Sequence, residues 1–108
     1  MELAPQQIAI LERLQARGFK IVAFPMYASH VGVRKGNCAA LLSPVASGGF
    51  VLFGAASYLI DGNFSVRVAG DGREWLVWKK ERLEATPARL EELDAFSVEL
   101  SEALLPTL

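Results

Sequence analysis

Apolar residues at the start of the chain recur with the period of an α-helix. Between residues 5 and 17, Ile8, Leu11 and Leu14 follow one another at three-residue steps, which places them on one stripe of a helix. Gly18 follows this stripe. Helices often end with a residue in the left-handed conformation, and that residue is usually glycine. The pattern therefore predicts an amphipathic helix that ends before Gly18.

The end of the chain carries a second pattern of this kind. Thr86 is a favoured N-cap residue, and Pro87 is a favoured first helical residue. Pro106 marks the predicted end of this helix, because proline cannot continue one. The apolar stripe consists of Leu90, Leu93, Phe96, Leu100 and Leu104.

Between the two helices lies a run of 25 residues, Gly36 to Ile60, without a charged side chain. About 20 apolar residues suffice to cross a membrane as a helix, so a membrane span is one interpretation. Pro44 and the Ser47-Gly48-Gly49 group interrupt the run, however, and leave apolar pieces of strand length at 38–42 and 50–53. We therefore predict buried strands rather than a transmembrane helix.

Two Asp-Gly pairs, Asp61-Gly62 and Asp71-Gly72, predict tight hairpin turns. They join apolar runs of strand length into an antiparallel meander. The sequence thus predicts a single α+β domain over residues 1–108, a two-layer sandwich in which a sheet of five or six strands is flanked by N-terminal and C-terminal helices. The predicted extended segments cover 19–24, 31–34, 38–42, 50–53, 58–60, 64–68 and 75–78. Residues 54–57 are either a kink within one strand that joins 50–53 to 58–60 or a short connection between two.

The turn at Asp71-Gly72 also fixes a register, in which Arg67 lies opposite Leu76. Alternation gives this hairpin two faces, and we predict that Arg67, Leu76 and Trp78 on one of them bind a partner, because Trp and Arg are enriched at binding hot spots. On that face Arg67 is expected to reach the Trp78 ring for a cation–π contact. The alternative is that the helices or a second subunit cover this face and that Arg67 pairs with Glu74. The opposite face, predicted to be core, holds Phe64, Val66, Val68, Trp75 and Val77.

Composition adds a bias towards self-association. Of the 108 residues, 52% are apolar and 21% are charged, which excludes a disordered chain. A small domain this apolar favours a homodimer. The net charge is −1, but residues 1–80 carry +4 and residues 81–108 carry −5, so a basic body precedes an acidic helix.

The basic residues offer a candidate edge for single-stranded nucleic acid, on which aromatic side chains would stack bases. The isoelectric point near 5.8 argues against that use. The residues of this candidate basic edge are Arg34, Lys35, Lys79 and Lys80.

Candidate catalytic residues are few. His30 and Cys38 are the single histidine and cysteine, and with Asp61 they would form a nucleophilic set, but no nucleophile motif surrounds Cys38. One His and one Cys fall short of a metal site, and no glycine-rich loop opens onto a helix to hold a phosphate group, so we predict neither a metal nor a cofactor. If the domain has a small-molecule pocket, Tyr27, His30 and Arg67 are expected to line it.

Taken together, the sequence predicts a small non-enzymatic module that binds a protein partner or itself and has no membrane segment. A single cysteine and the lack of a signal-peptide pattern predict a cytoplasmic location. A weak single-stranded nucleic-acid-binding domain is the first alternative, and a small-molecule sensor or enzyme domain is the second.

Overall fold

A helix at each end of the chain flanks a series of antiparallel strands. The computed structural model describes residues 3–24, 27 and 29–104, and within these ranges it contains two helices and eight strands. The predicted α+β class, with helices flanking an antiparallel sheet, is confirmed. The element bounds are α1 Pro5–Ala16, β1 Lys20–Val22, β2 Val31–Lys35, β3 Cys38–Pro44, β4 Phe50–Ile60, β5 Asn63–Phe64, β6 Val66–Gly70, β7 Arg73–Trp78, β8 Glu81–Glu84 and α2 Pro87–Leu104.

The helix ends follow the capping residues that the sequence offers. Gly18 has a φ of 92°, the left-handed conformation in which a helix commonly ends. At the start of α2, the Thr86 hydroxyl oxygen accepts a hydrogen bond from the backbone N–H of Arg89 at 3.3 Å, which satisfies one of the free amides of the first turn. The predicted end of α2 at Pro106 lies outside the described residues.

The uncharged middle of the chain forms strands, as predicted. β3 and β4 lie within it and pair antiparallel, with Leu42 opposite Leu52. β4 continues through residues 54–57, where a bulge shifts its register against β3 and Gly54 adopts a φ of 74°. No helix in the described ranges is long and apolar enough to cross a membrane.

The strands are divided between two sheets, whereas the sequence predicts one sheet of five or six strands. β1 to β5 form the first sheet in sequence order, and β6, β7 and β8 form the second. Both follow the predicted meander. The turns centred on Asp61-Gly62 and Asp71-Gly72 have positive φ at both central residues, as type I′ hairpins require. Ser65 alone separates β5 from β6, so the meander divides at this residue.

β8 is a strand that the sequence pattern does not predict. It pairs antiparallel with β7, and Leu83 lies opposite Leu76. Its other three residues are charged, and the turn before it has Lys79 at a φ of 54° instead of the usual Gly or Asn. The strand therefore lacks a run of apolar or β-branched residues, and the turn lacks a typical turn residue, so the sequence does not indicate this hairpin.

The core contains residues from both helices and both sheets. Burying a large apolar side chain contributes about 1.5–3 kcal/mol, so these residues account for much of the stability of the fold. The largest fully buried side chains are Leu14, Val33, Cys38, Leu42, Leu76 and Leu100.

The prediction of which face of the β6–β7 hairpin is buried is wrong. The register is confirmed, with Arg67 opposite Leu76. However, Val66 and Val68, from the face predicted to be core, are 64% and 42% exposed, whereas Leu76 from the opposite face is 2% exposed. Alternation identifies the two faces of a hairpin but not the one that the rest of the fold covers.

Candidate functional site: a cleft between the two sheets

The two sheets separate at a pair of serines. The backbone N–H of Ser65 donates to Ser57 Oγ at 2.9 Å, and this hydroxyl donates to the carbonyl oxygen of Ser65 at 2.8 Å. The Ser65 hydroxyl in turn donates to the carbonyl oxygen of Tyr58 at 2.5 Å. Side-chain hydrogen bonds thus take the place of the backbone ladder between β4 and the chain that leads from β5 into β6.

Beyond these serines β4 has a free edge, which we call the open edge and define as residues Val51 to Ala56. β5 pairs with β4 at Leu59 and Ile60, and no described strand pairs with the open edge on the side away from β3. Three consecutive large side chains are exposed here, Val51 at 51%, Leu52 at 38% and Phe53 at 48%. The predicted strand is therefore present, but the prediction that it is buried is wrong for this half of β4.

A cleft of about 580 Å³ opens between β4 and β6. The bulged part of β4 and the start of β6 line it, and α2 contributes Leu93, Asp94 and Ser97. A volume of about 300–1,000 Å³ with a mainly apolar lining and a few polar groups is typical of ligand-binding clefts. Besides Leu93, the large apolar and aromatic side chains that line it are Tyr27, Leu41, Phe53, Tyr58, Phe64, Val66 and Leu76.

Aromatic rings from distant parts of the chain meet beside the cleft. The Phe24 and Phe64 rings are 4.7 Å apart between centroids, and the His30 and Phe53 rings are 4.1 Å apart. Tyr27 lies between these two pairs, 5.9 Å from Phe64 and 6.4 Å from Phe53. Each such contact contributes about 0.5–1.5 kcal/mol beyond its buried area. We call these five residues the ring cluster; it connects the segment before β2 to β4 and β5.

Gly32 in β2 makes room for one of these rings. A Cβ atom at this position would lie 2.5 Å from carbons of the Phe24 ring and 2.6 Å from the carbonyl oxygen of Val22. Such distances are too short for non-bonded atoms, so any larger residue must displace the ring or the backbone. The glycine therefore permits the ring cluster to lie directly on the sheet.

Arg67 lies at the cleft between carboxylates. Its Nε donates to Glu74 Oε2 at 2.6 Å, in a salt bridge between two half-exposed side chains. This hydrogen bond and the charge of Glu74, with a smaller contribution from Asp94 of α2, raise the pKa of Arg67. The predicted alternative in which Arg67 pairs with Glu74 is confirmed.

The three residues predicted to bind a partner are not on one exposed surface. Arg67 is exposed and lines the cleft, Leu76 is buried in the core, and Trp78 is partly buried. The expected stacking of Arg67 on Trp78 is replaced by that of Lys79, whose Nζ lies 4.7 Å from the centre of the Trp78 ring. Leu76 also lines the cleft, but only 2% of it is exposed, so its side chain offers little surface to a partner.

Two of the three residues expected to line a pocket do so. Tyr27 and Arg67 both line the cleft. His30 lies next to it, against the Phe53 ring, and its Nδ1 atom is buried without a hydrogen-bond partner among the described residues. Phe53, Phe64 and the two serines also line the cleft, and no pattern in the sequence predicts that they do.

Three of the four residues of the candidate basic edge have partners of their own. Lys35 Nζ donates to Glu99 Oε1 of α2 and to the carbonyl oxygen of Arg17, each at 2.8 Å. Arg34 Nε donates to the carbonyl oxygen of Gly36 at 3.1 Å. Lys79 stacks on Trp78, as described above, and Lys80 is exposed in the same turn. Nucleic-acid binding by this edge stays a prediction, and Lys35 in particular joins the end of α1 to α2.

Cys38, His30 and Asp61 do not have the environment of a nucleophilic set. Cys38 is fully buried, and this burial, with a smaller contribution from the charge of Glu92, raises the pKa of its thiol to about 12. A thiol of that kind is inert at neutral pH. Asp61 instead lies near Glu81, and this neighbouring carboxyl group raises the pKa of the Glu81 carboxyl.

No protein-family model, curated protein or solved structure matches this chain. The cleft and the open edge are therefore the features from which a function is inferred.

Proposed function

We propose that this domain is a non-enzymatic protein-interaction module that binds an extended segment of a partner protein at the open edge, beside the cleft. The observation that carries the proposal is the exposure of the apolar residues Val51, Leu52 and Phe53 on a strand that lacks a neighbour on one side. A free strand edge presents unpaired N–H and C=O groups, which an added strand satisfies by backbone hydrogen bonds.

The cleft supports this proposal because it leaves space where the added strand would lie. β4 and β6 diverge from the serine pair, and the space between them is lined by Phe53 on one side and Val66 on the other. Alternate side chains of an added strand point to opposite faces of the sheet. We therefore expect one set of partner side chains to enter the apolar cleft and the other set to remain near solvent.

The absence of charge on the open edge supports a protein partner with apolar side chains. β4 contains no charged residue, and the two charged residues that line the cleft, Arg67 and Asp94, have opposite signs. Proteins usually protect an exposed edge strand with charged residues, bulges or proline. β4 has a bulge but none of the other protection, and this is expected of an edge that a partner covers.

The test is a titration of isotope-labelled protein with seven-residue peptides of alternating Val and Thr, followed by amide chemical shifts. We expect the largest shifts at 51–56, on the open edge, and at 64–67, which line the cleft. Val51→Lys should weaken binding at least about tenfold, or about 1.4 kcal/mol, because a charged side chain on an edge opposes strand addition. Val98→Lys is the matched control, since Val98 is equally exposed but lies on α2.

The proposal fails if no peptide shifts the amides of the open edge and the domain also does not bind to itself there. It fails as well if Val51→Lys and Val98→Lys weaken peptide binding to the same extent.

The size and apolar lining of the cleft favour a second candidate, a sensor for a small apolar molecule. The volume of about 580 Å³ and the lining by Tyr27, Phe53 and Phe64 support it. A saturable site for a naphthalene-sulfonate dye, with one molecule per chain, is the expected result. Ala55→Trp should fill the cleft and remove this site, because Ala55 is an exposed lining residue. Dye binding that Ala55→Trp leaves unchanged would reject this candidate.

A further inference from the structure

We infer that the partner of the open edge is a second copy of this chain, with the two β4 strands paired antiparallel about a two-fold axis at Leu52. This inference rests on the proposed function and names its partner. An isologous contact of this kind uses the same surface on both subunits, so the open edge must be complementary to itself. The charge of the strand edges, the register of the two paired β4 strands and the closed symmetry of the dimer all meet this requirement.

Charge distinguishes the open edge from the other described strand edges except that of β5, which is also uncharged but is only two residues long. β1 carries Lys20, β6 carries Arg67, and three of the four residues of β8 are charged. Charged side chains on edge strands oppose pairing with another chain. β4 lies entirely within the 25-residue uncharged run, so two copies of it meet without repulsion between like charges. Among the described strands, β4 is thus the one best suited to pair with itself.

Register explains why the axis is placed at Leu52. Antiparallel pairing centred there puts Val51 opposite Phe53 of the second copy, and the symmetry produces this pair twice. A β-branched residue opposite an aromatic one is a stabilising cross-strand pair. The same register puts Phe50 opposite Gly54 of the second copy, and this glycine has no side chain that could clash with the ring. Centring the axis on Val51 instead would place Phe53 opposite Gly49 and lose both Val51–Phe53 pairs.

Closure follows from the symmetry of the contact. Each copy uses its open edge once, so the two five-stranded sheets join into one continuous sheet and no open edge is left for a third copy. The pairing would cover Val51, Leu52 and Phe53, the three consecutive large side chains that are exposed in the single chain. A dimer, and not a fibre, is therefore the expected assembly.

The first experiment measures the mass of the whole chain by light scattering over a wide range of concentration. We expect a species of twice the chain mass of 11.7 kDa that dissociates on dilution. Val51→Lys should be monomeric at concentrations at which the unchanged protein is dimeric. Val98→Lys, which adds the same charge at an exposed position of α2, should remain dimeric.

The second experiment tests the register by disulfide formation. In the proposed dimer the two Leu52 residues are directly opposite, with Cα atoms about 4.5–5.5 Å apart, a distance that a disulfide spans. Leu52→Cys should therefore form a covalent dimer on mild oxidation, much faster than Val98→Cys. The native Cys38 is fully buried and does not interfere. If Leu52→Cys does not fold, mixing a Val51→Cys chain with a Phe53→Cys chain tests the same register.

The outcomes separate this inference from the proposed function. A protein that stays monomeric at every concentration, or a dimer that Val51→Lys does not dissociate, overturns the pairing of β4 with a second copy. A Leu52→Cys chain that crosslinks no faster than Val98→Cys, or a mixture of Val51→Cys and Phe53→Cys chains that does not crosslink, overturns it too. If the monomer still binds peptides at the open edge and Val51→Lys weakens that binding, the proposed function stands with a different partner.

Discussion

The side-chain amide of Gln7 donates a hydrogen bond to the carbonyl oxygen of Val45 at 3.0 Å, which joins α1 to the loop that leads into β4. The same nitrogen donates to the carbonyl oxygen of Gly49 at 3.1 Å. The side-chain oxygen of Gln7 accepts a hydrogen bond from the backbone N–H of Ala4 at 2.8 Å. Gln7 is 4% exposed, and every polar group of its side chain is satisfied. A polar residue on the first turn of the helix thus fixes the loop immediately before the open edge.

Gln7→Ala should destabilise the domain by about 2 kcal/mol, because loss of buried hydrogen bonds and desolvation of their partners costs about 1–3 kcal/mol. Urea unfolding followed by tryptophan fluorescence measures this loss. Gln15→Ala is the control: Gln15 is exposed on the same helix, and its replacement should change stability by less than about 0.5 kcal/mol. Equal effects of the two substitutions would contradict a structural role for Gln7.

Ser57→Ala should destabilise the domain by about 1–3 kcal/mol and loosen the junction of the two sheets. The alanine removes the acceptor of the Ser65 backbone N–H and the donor to the Ser65 carbonyl oxygen. Hydrogen exchange is the sharper measurement, since the amide of Ser65 should lose protection more than the amides of β2 and β3. Ser47→Ala, in an exposed loop position, serves as the control. Unchanged protection at Ser65 would show that backbone packing alone holds the junction.

Gly32→Ala should be strongly destabilising for a single methyl group, by about 1–3 kcal/mol, because it overpacks the contact between β2 and the Phe24 ring. Gly70→Ala is a matched control in another strand, where the nearest atom to an added Cβ belongs to Trp75 at 3.9 Å. Thermal unfolding should show a clear loss for Gly32→Ala and little change for Gly70→Ala. The double change Gly32→Ala with Phe24→Ala should recover part of the strain, and failure to do so would mean that the clash with the Val22 carbonyl dominates.

Local signals predicted the parts of the fold that depend on backbone geometry. Gly18 ends α1, and the turns at Asp61 and Asp71 have the positive φ values that Asp-Gly pairs favour. The register of the β6–β7 hairpin followed from its turn alone, with Arg67 opposite Leu76. These features were predictable because the residues that determine them are neighbours in the chain.

The candidate site was not predictable, because it depends on contacts between residues far apart in sequence. The burial of Leu76 depends on the layer that packs against β7, and no alternation pattern contains that information. The cleft exists because Ser57 bonds the backbone of Ser65 and because β4 bulges against β3. Serine is common in loops and strands alike, so neither serine carried a recognisable signal.

One signal of the open edge was present in the sequence and was misinterpreted. Val51, Leu52 and Phe53 follow one another without alternation, and such a run predicts a strand buried on both faces. A strand with apolar side chains on both faces also suits an edge that a partner covers. The structure distinguishes the two cases through exposure, which the run itself does not encode.

Cys38 provides a prediction about pH. Burial raises the pKa of its thiol to about 12 in the folded chain, against an ordinary value of 9.0, so the unfolded chain loses this proton first as the pH rises. The contribution of the thiol to stability is therefore complete below about pH 9 and decreases from there towards pH 12. At pH 10 the decrease should be about 1 kcal/mol relative to pH 8.

The measurement compares this pH dependence in the unchanged protein and in Cys38→Ala. The alanine variant is less stable at every pH, because a fully buried side chain loses its packing contacts, but it should lack the part of the decline between pH 8 and pH 10 that belongs to the thiol. The other titrating groups are common to both proteins and cancel in the difference. In parallel, iodoacetamide should label Cys38 far more slowly in the folded chain than in urea, since the reactive thiolate forms only when the core opens. Fast labelling of the folded chain, or identical pH profiles, would place the thiol at the surface and contradict its position in the core between the sheet and α2.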